Sequence, residues 1–340
     1  MKSTYQFFKE LLKEIFDVTS TLFRIMGPII IVIKVVEELG GIVILSEWLS
    51  PIMESVGLPK EMGLVWATTI LTNIYAGLII LINSDVPLTV AQASVLGSMM
   101  LLAHSLPIEG AIAKKAGVSW LATLSVRVGG SLVLAWLLNI GYQYGDLLNY
   151  PATVLWQPEV SSDSSYIGWA IEQLKNFAVI FMVISALLLL LKTLKVLGIE
   201  KLMAMLLRPF LRLLGISKDA TNLTIIGITL GLSFGGGLLI NEAKKGHISA
   251  RDVFTAIMLL NLLHSLIEDT LLILLIGADF YTIFWGRIVF SILIVALISN
   301  AIKRMNRRFV SVTFIEMFRN HESRTFILKH ITKEPTARLF

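Results

Sequence analysis

The chain has 340 residues, of which 55% are hydrophobic and 16% charged, and its mean hydropathy is +0.78. This composition excludes an ordinary soluble domain and predicts an integral membrane protein. The formal charge of +5 does not indicate a nucleic-acid partner, because the basic residues lie in short loops and in the C-terminal tail. The chain contains no cysteine, which excludes disulfides and thiolate metal sites.

The first half of the chain begins with an amphipathic segment and continues with apolar runs. Residues 1–22 carry mixed charges and predict a helix on the cytoplasmic membrane surface. The following segment, 23–140, holds three predicted spanning helices, an interfacial helix and an interrupted apolar run, at 24–45, 88–109, 118–139, 46–57 and 62–83. Residues 141–168 contain no Lys or Arg and predict an extracytoplasmic loop.

The second half repeats this order. Residues 169–301 hold predicted spanning helices, an interfacial helix and an interrupted apolar run, at 170–192, 253–276, 282–301, 199–216 and 219–241. Residues 302–340 form a basic tail, which we expect to rest on anionic lipid at the cytoplasmic face.

Polar residues in the two halves match at constant offsets, which predicts an internal repeat. At an offset of 158 (209 − 51) the matches are Pro51/Pro209, Lys60/Lys218, Gly77/Gly235 and Asn83/Asn241. At an offset of 160 (264 − 104) they are His104/His264, Ser105/Ser265, Arg127/Arg287 and Ser131/Ser291. Internal repeats of this size are typical of transporter folds.

The charges of the loops indicate how the repeats are oriented. If 62–83 and 219–241 both crossed the membrane, Lys114 and Lys115 would lie outside and the loop at 141–168 inside, against the positive-inside rule. If both segments are re-entrant hairpins, the basic loops and both termini are cytoplasmic. We therefore predict an all-α polytopic protein of the cell (inner) membrane. It has two inverted repeats, each with three spanning helices, an interfacial helix and a re-entrant hairpin.

The hairpins need tight tips inside the membrane, and glycine-containing interruptions could supply them. The candidate tips are Tyr75–Gly77 and Ser233–Gly237. Non-helical backbone at that depth is tolerated beside protein or a water-filled cavity. Alternatively, the glycines allow helices to pack closely.

This layout, together with the His-Ser-Leu-Ile-Glu-Asp segment at 264–269, resembles the gate or nucleoside-recognition domain over roughly residues 24–300. That domain is found in concentrative nucleoside transporters, ferrous-iron transporter B and the spore maturation proteins A and B. The chain is most similar to uncharacterised stand-alone members of this group. It lacks the Gln-Thr-Glu hairpin signature of the nucleoside transporters and any GTP-binding domain, so the resemblance implies a transporter-like fold but transfers no nucleoside-binding residue.

Histidine and serine pairs near the ends of two apolar runs are the candidate centre of the protein. We expect a site for a small polar or anionic solute, formed by the His-Ser pairs, the hairpin glycines and two asparagines at the hairpin exits. These residues are His104, Ser105, His264, Ser265, Gly77, Gly235, Gly236, Asn83 and Asn241. Alternatively, the histidines are packed core residues and the asparagines cap helices.

The acidic residues of the same segments are candidates for taking up a coupling proton or cation: Glu109, Glu268 and Asp269. His264 and Glu268 are four residues apart, as are Ser265 and Asp269, and would share a helix face. Pro107 is expected to unwind the helix in the first half only.

The two intramembrane arginines have two possible roles. Arg127 and Arg287 could bind an anionic group. Alternatively, they form buried pairs, Arg127–Glu109 and Arg287–Asp269, between neighbouring helices. Histidine with glutamate four residues on is a weak metal signature, so neither a metal nor another cofactor is expected.

The sequence therefore favours a secondary transporter that works by alternating access, with the lipid bilayer and a small solute (a nucleoside is one option) as partners. The alternative is a non-transporting gate-domain subunit of a larger complex. A homo-oligomer could supply the scaffold that full nucleoside transporters carry as extra helices. We expect no enzymatic activity, because no nucleophile–base arrangement is present, and no direct drive by ATP or GTP, because no nucleotide-binding signature is present. We expect no nucleic-acid partner, because the basic residues lie in short loops and in the tail.

Overall fold

The computed structural model describes residues 41–84, 86–155, 165–245 and 248–304, together with positions 9, 11–13, 15, 16, 19, 20, 23, 24, 27, 28, 31, 34, 35 and 38–40. Most of the predicted surface helix over 1–22, eight residues of the run at 24–45 and the tail beyond 304 lie outside these residues. Regular structure in the described part is helical, apart from a lone bridge between Thr89 and Pro151. The all-α class is confirmed.

Five helices in the described part are long and apolar enough to span a membrane. They are Val90–Lys115, Trp120–Gly145, Tyr166–Leu194, Arg251–Leu274 and Tyr281–Ala301. The shortest has 21 residues, which at about 1.5 Å per residue exceeds the roughly 30 Å hydrocarbon core. These helices coincide with five of the six predicted spans, and they confirm a polytopic membrane protein.

The first half contains α1 (Gly41–Ser55), α2 (Met62–Leu71), α3 (Ile74–Ile82), α4 (Val90–Leu102), α5 (Leu106–Lys115), α6 (Trp120–Leu124), a π-helical turn π1 (Ser125–Gly129) and α7 (Gly130–Gly145). The second half contains α8 (Tyr166–Val196), α9 (Ile199–Leu213), α10 (Lys218–Leu230), α11 (Leu232–Lys244), α12 (Ala250–Leu262), α13 (Leu266–Leu274), π2 (Tyr281–Gly286) and α14 (Arg287–Arg304).

Helix boundaries recur at the offsets that relate the polar residues. Helices α1 and α9 match at 158 (199 − 41) at both ends, and α4 and α12 match at 160 (250 − 90) at both ends. Thr89 and Ser249, also 160 apart, each cap the following helix with a side-chain oxygen. The inverted direction of the second half remains a prediction.

The interrupted apolar runs fold into helical hairpins. A Cβ added to Gly235 would collide with the backbone of Gly227, and one added to Gly77 would collide with Thr69 Oγ1. Residues eight apart in one continuous helix would be about 12 Å apart, so the chain reverses between them. The arms have 9 to 13 residues and are at most about 20 Å long, too short to cross a bilayer.

The turns of the hairpins lie earlier than predicted. The first turn is at Thr72–Asn73, where Asn73 is extended and its side chain accepts a hydrogen bond from the amide of Ala76 as an N-cap. The second turn is at Gly231, whose φ of 100° and ψ of 162° suit glycine. The predicted tips at Tyr75–Gly77 and Ser233–Gly237 were wrong, because those residues belong to the returning arms α3 and α11.

Two membrane helices are broken at the His-Ser pairs. Helix α4 ends at Leu102 and α5 begins at Leu106, and Ser105 has a positive φ of 47°. The second half breaks in the same way, with a φ of 45° at Ser265. The second copy has Ile267 where the first has Pro107, so proline is not the cause of the break. Pro107 instead lies in the first turn of α5, where its missing amide hydrogen costs little.

The chain forms two compact units, each built from both halves. Unit 1 comprises residues 1–106, 131–206 and 266–287, and unit 2 comprises residues 107–130, 207–265 and 288–340. Four of the five divisions fall next to the His-Ser breaks and the π-helical turns, and the fifth lies within α9. Unit 1 therefore combines the first hairpin and α4 with α13 and π2, whereas unit 2 combines the second hairpin and α12 with α5, α6 and π1.

The hairpin packing predicts opposite effects for two glycines on one helix. A Gly235→Ala substitution should destabilise the protein by about 1–3 kcal/mol, because its Cβ meets the Gly227 backbone. The control is Gly237→Ala, where nothing lies within 4 Å of the added Cβ. This control should be neutral or stabilising by up to about 1 kcal/mol, since alanine favours helix. Apparent unfolding temperatures in detergent measure both effects, and equal temperatures would contradict the hairpin geometry.

Candidate functional site

Each central histidine caps the broken helix that carries it. Nδ1 of His104 lies 3.0 Å from the carbonyl oxygen of Met100, and Nδ1 of His264 lies 2.6 Å from that of Leu260. A continuous helix would offer these carbonyls to the backbone amides of the histidines themselves. The imidazole ring therefore satisfies a carbonyl at the break that would otherwise be costly at membrane depth.

In unit 1 the break is fastened to the first hairpin. The amide of Ser105 donates to the carbonyl of Thr69 (3.1 Å), and its hydroxyl donates to the carbonyl of Thr72 (2.9 Å). Both carbonyls lie at the end of α2, where the last turn of a helix leaves acceptors without intrahelical donors. In unit 2 a Cβ at the hairpin turn, Gly231, would lie 3.0 Å from Ser265 Oγ. Both serines therefore lie against a hairpin.

Unit 2 contains a buried triad of His264, Glu109 and Arg127. Nε2 of His264 is 3.1 Å from Glu109 Oε1, and Arg127 Nη1 donates to the other carboxylate oxygen. Arg127 is fully buried. The histidine comes from the second half of the chain, whereas the acid and the arginine come from the first.

Unit 1 contains the corresponding triad of His104, Asp269 and Arg287. Nε2 of His104 and Nη2 of Arg287 each lie 3.8 Å from Asp269 Oδ2. These distances are longer than hydrogen bonds, so the ion pair is looser than in unit 2. Aspartate is one methylene shorter than glutamate, which accounts for the longer distances between its carboxylate and the two partners. Here the histidine comes from the first half, and the acid and the arginine come from the second.

The predicted pairs Arg127–Glu109 and Arg287–Asp269 are thus both present as contacts between buried side chains. An isolated buried charge is costly, and a carboxylate beside each guanidinium offsets that cost. Each carboxylate also lies in the first turn of a helix, α5 or α13, where the helix dipole favours negative charge.

Both arginines are associated with π-helical turns. Arg127 lies within π1, and Arg287 directly follows π2. A π-helical turn inserts one residue into a helix and is frequent at functional sites. The sequence predicted a continuous helix at both places and gave no signal for the change in pitch.

The contacts of His264 determine where its protons lie. A carbonyl oxygen only accepts hydrogen bonds, so Nδ1 carries a hydrogen and donates it to Leu260. The contact between Nε2 and Glu109 Oε1 is favourable when one proton lies between the two atoms. His264 and Glu109 therefore form a site that can hold one proton, beside the permanent charge of Arg127.

The expected pairing of residues four apart was wrong. Because the helix breaks between Leu262 and Leu266, His264 and Glu268 do not share a helix face. His264 contacts Glu109 instead, and Glu268 accepts a 3.4 Å hydrogen bond from the hydroxyl of Tyr75 on the first hairpin. Tyr75 was not among the predicted site residues, although it lies in the segment that the sequence identified as a hairpin turn.

The remaining predicted residues lie on the hairpins. Gly77 and Gly235 are hairpin-packing positions, and a Cβ at Gly236 would lie 2.9 Å from Ile112 Cγ2 in unit 2. Asn83 is an exposed residue at the C-terminal end of α3. Asn241 is exposed within α11. Gly77, Gly235 and Gly236 are therefore packing positions, and a role of these five residues in solute binding stays a prediction.

Comparison with known proteins adds a distant relative. The chain is 26% identical over 297 residues to a Bacillus subtilis (strain 168) protein described as "Uncharacterized membrane protein YvoD", covering 85% of this chain and 93% of that protein. No protein-family model matches the chain. No solved structure matches it either. This similarity and the apolar helices both indicate a multi-pass membrane protein.

The two triads predict unequal coupling between acid and arginine. Removing one partner of a buried pair typically costs about 3–5 kcal/mol, so we expect losses of that order for Arg127→Met and for Glu109→Gln. The double variant should lose clearly less than the sum of the two. The matched cycle of Arg287→Met with Asp269→Asn should show weaker coupling, because that contact is 3.8 Å. Unfolding free energies in detergent test this, and additive losses at Arg127 and Glu109 would contradict the pairing.

Proposed function

We propose that this multi-pass membrane protein is a secondary transporter for a small polar or anionic solute, working by alternating access. The observation that supports it is the pair of broken membrane helices, each with a buried histidine–carboxylate–arginine triad beside the break. Broken helices with ionisable residues at membrane depth are typical of the substrate and ion sites of transporters. A purely structural bundle could satisfy the same helix positions with apolar residues.

The hairpins supply elements that could move. Their arms are too short to cross the membrane, and in unit 1 the first hairpin is joined to the helix break through the two hydrogen bonds of Ser105. A displacement of this hairpin would change the environment of the neighbouring His104. Solute binding at the break and movement of the hairpin would thereby be linked.

The triads suit coupling to protons. We propose that the contact between His264 and Glu109 takes up one proton, while Arg127 keeps a positive charge beside it whether or not that proton is present. With the proton bound, the triad carries one net positive charge, which favours an anionic group. We therefore propose that proton uptake at this triad accompanies binding of the solute.

Burial of the histidines favours a second candidate function. His104 is 6% exposed and His264 is 1% exposed. A transporter must expose its site to water in at least one state, so this structure would be its occluded conformation. A non-transporting gate-domain subunit, by contrast, would keep both histidines packed permanently.

We propose the bilayer and a small solute as partners, with a homo-oligomer as the source of additional scaffold. We propose that helix α8 makes the contacts with lipid and with other subunits, because few of its residues are buried within the described part of the chain. We propose neither a nucleic-acid partner nor an enzymatic activity. The hydroxyl of Ser105 donates to a backbone carbonyl rather than to a base that could activate it.

The proposed orientation places both termini in the cytoplasm and the second repeat upside down relative to the first. The chain has no cysteine, so single cysteines can report sidedness directly. Asn149→Cys should react with a membrane-impermeant maleimide in intact cells, whereas Lys115→Cys should react only after permeabilisation. Both positions are exposed, which makes them matched reporters. The opposite pattern would contradict the proposed orientation.

The transporter proposal predicts that a solute stabilises the purified protein. We would screen nucleosides, nucleobases, small organic anions, phosphate and divalent metals by thermal unfolding. A solute at a hundred times its dissociation constant should add about 2.7 kcal/mol. That shift should be lost in His104→Ala and His264→Ala. It should persist in Met258→Ala, a control that removes a fully buried side chain from α12.

Two results would contradict the proposal. One is that no solute class stabilises the wild type while both histidine variants simply lose stability. The other is that a solute stabilises the histidine variants as much as the wild type. Either result would favour the subunit function, and a search for a protein partner would follow.

A further inference from the structure

The side chain of Asn261 is a buried polar group that neither triad uses. It lies on α12, three residues before His264, and is fully buried. Neither its amide nitrogen nor its amide oxygen has a hydrogen-bond partner among the described residues. A buried amide without partners loses the hydrogen bonds that it makes with water, which costs free energy of folding.

The other half of the chain shows that the fold does not require an amide here. At the offset of 160 (261 − 101) the matching residue is Leu101, on α4, which is also fully buried. Leucine has as many side-chain heavy atoms as asparagine and incurs no cost of unpaired polar atoms. Asparagine at position 261 is therefore explained better by binding than by packing.

Helix α12, which carries this amide, packs against elements of unit 2 that include part of the triad. Helix α12 contacts both arms of the second hairpin and π1, which carries Arg127. The triad offers charges, whereas Asn261 offers two N–H donors and a carbonyl acceptor without charge. The two would recognise different parts of a ligand.

We propose that Asn261 binds a small uncharged group that both donates and accepts hydrogen bonds. This group is a hydroxyl or amide of the solute, or a water molecule that takes the same place when no solute is bound. Buried waters typically satisfy polar groups in this way. The solute form of the proposal rests on the transporter function proposed above, whereas the water form does not.

The test compares Asn261→Leu, which copies the other half, with Asn261→Ser, which keeps a donor and an acceptor, and with the control Leu101→Met. Apparent unfolding temperatures are measured without solute and with uridine, adenine, succinate or inorganic phosphate. Without solute, Asn261→Leu should unfold at the same temperature as the wild type or at a lower one, because it removes an amide that the proposal pairs with bound water. With a stabilising probe, its dissociation constant should rise at least tenfold, with a smaller rise for Asn261→Ser and none for Leu101→Met.

The outcomes separate this inference from the transporter proposal. If Asn261→Leu unfolds several degrees later than the wild type and binds the probe unchanged, the amide is an unpaired burial cost and the inference is wrong. If a probe binds the wild type, and Asn261→Leu neither gains stability nor loses affinity, the water form holds and the solute form is wrong. If no probe stabilises the wild type, the temperatures without solute alone decide. A later unfolding of Asn261→Leu overturns the inference, and an equal or earlier one supports bound water.

Discussion

A fully buried arginine in a membrane-spanning helix must lie beside a carboxylate of the protein, and in this chain the same carboxylate also links the two halves of the chain. Arg127 meets Glu109, and Arg287 meets Asp269. Each acid in turn faces a histidine from the opposite half: Glu109 faces His264, and Asp269 faces His104. Neither half therefore contains a complete triad. The exchange of partners explains why each compact unit is assembled from both halves.

The broken helices make this exchange possible. A continuous helix would hold His264 and Glu268 on one face and would direct both side chains to the same neighbours. The positive φ at Ser105 and Ser265 interrupts the helix, and a new helix begins at Leu106 and at Leu266. Each histidine then belongs to one unit and the acid that follows it belongs to the other. The imidazole that completes a triad also satisfies a carbonyl at its own break, so chemistry and helix capping depend on the same side chain.

The sequence predicted much of this arrangement because its signals are local or repeated. Hydropathy predicted five of the spans, and the offset of 160 identified the histidines, serines and arginines that form or flank the triads. The sequence also predicted which acid each arginine contacts, because the two residues of each pair lie only 18 residues apart (127 − 109; 287 − 269). The partners of the histidines were missed, since no local period relates His264 to Glu109. The turns were predicted at the glycines of Tyr75–Gly77 and Ser233–Gly237. The first turn instead uses the N-cap Asn73, and the second uses the single glycine Gly231. Asn261 was missed because its counterpart is Leu101, so the repeat gave no polar match there.

The central claim is that the two halves of the chain complete each other, and co-expression of separate halves tests it most directly. The chain would be divided between residues 155 and 165, and each fragment would be expressed alone and together with the other. The account predicts that each fragment alone is degraded or aggregates, because its acid–arginine pair lacks the histidine of the other half and its own histidine lacks the acid of the other half. Together the fragments should co-purify as a stable complex through a tag on one of them. If either fragment alone were stable and monodisperse in detergent, or if the two failed to associate, the exchange of triad residues would be contradicted.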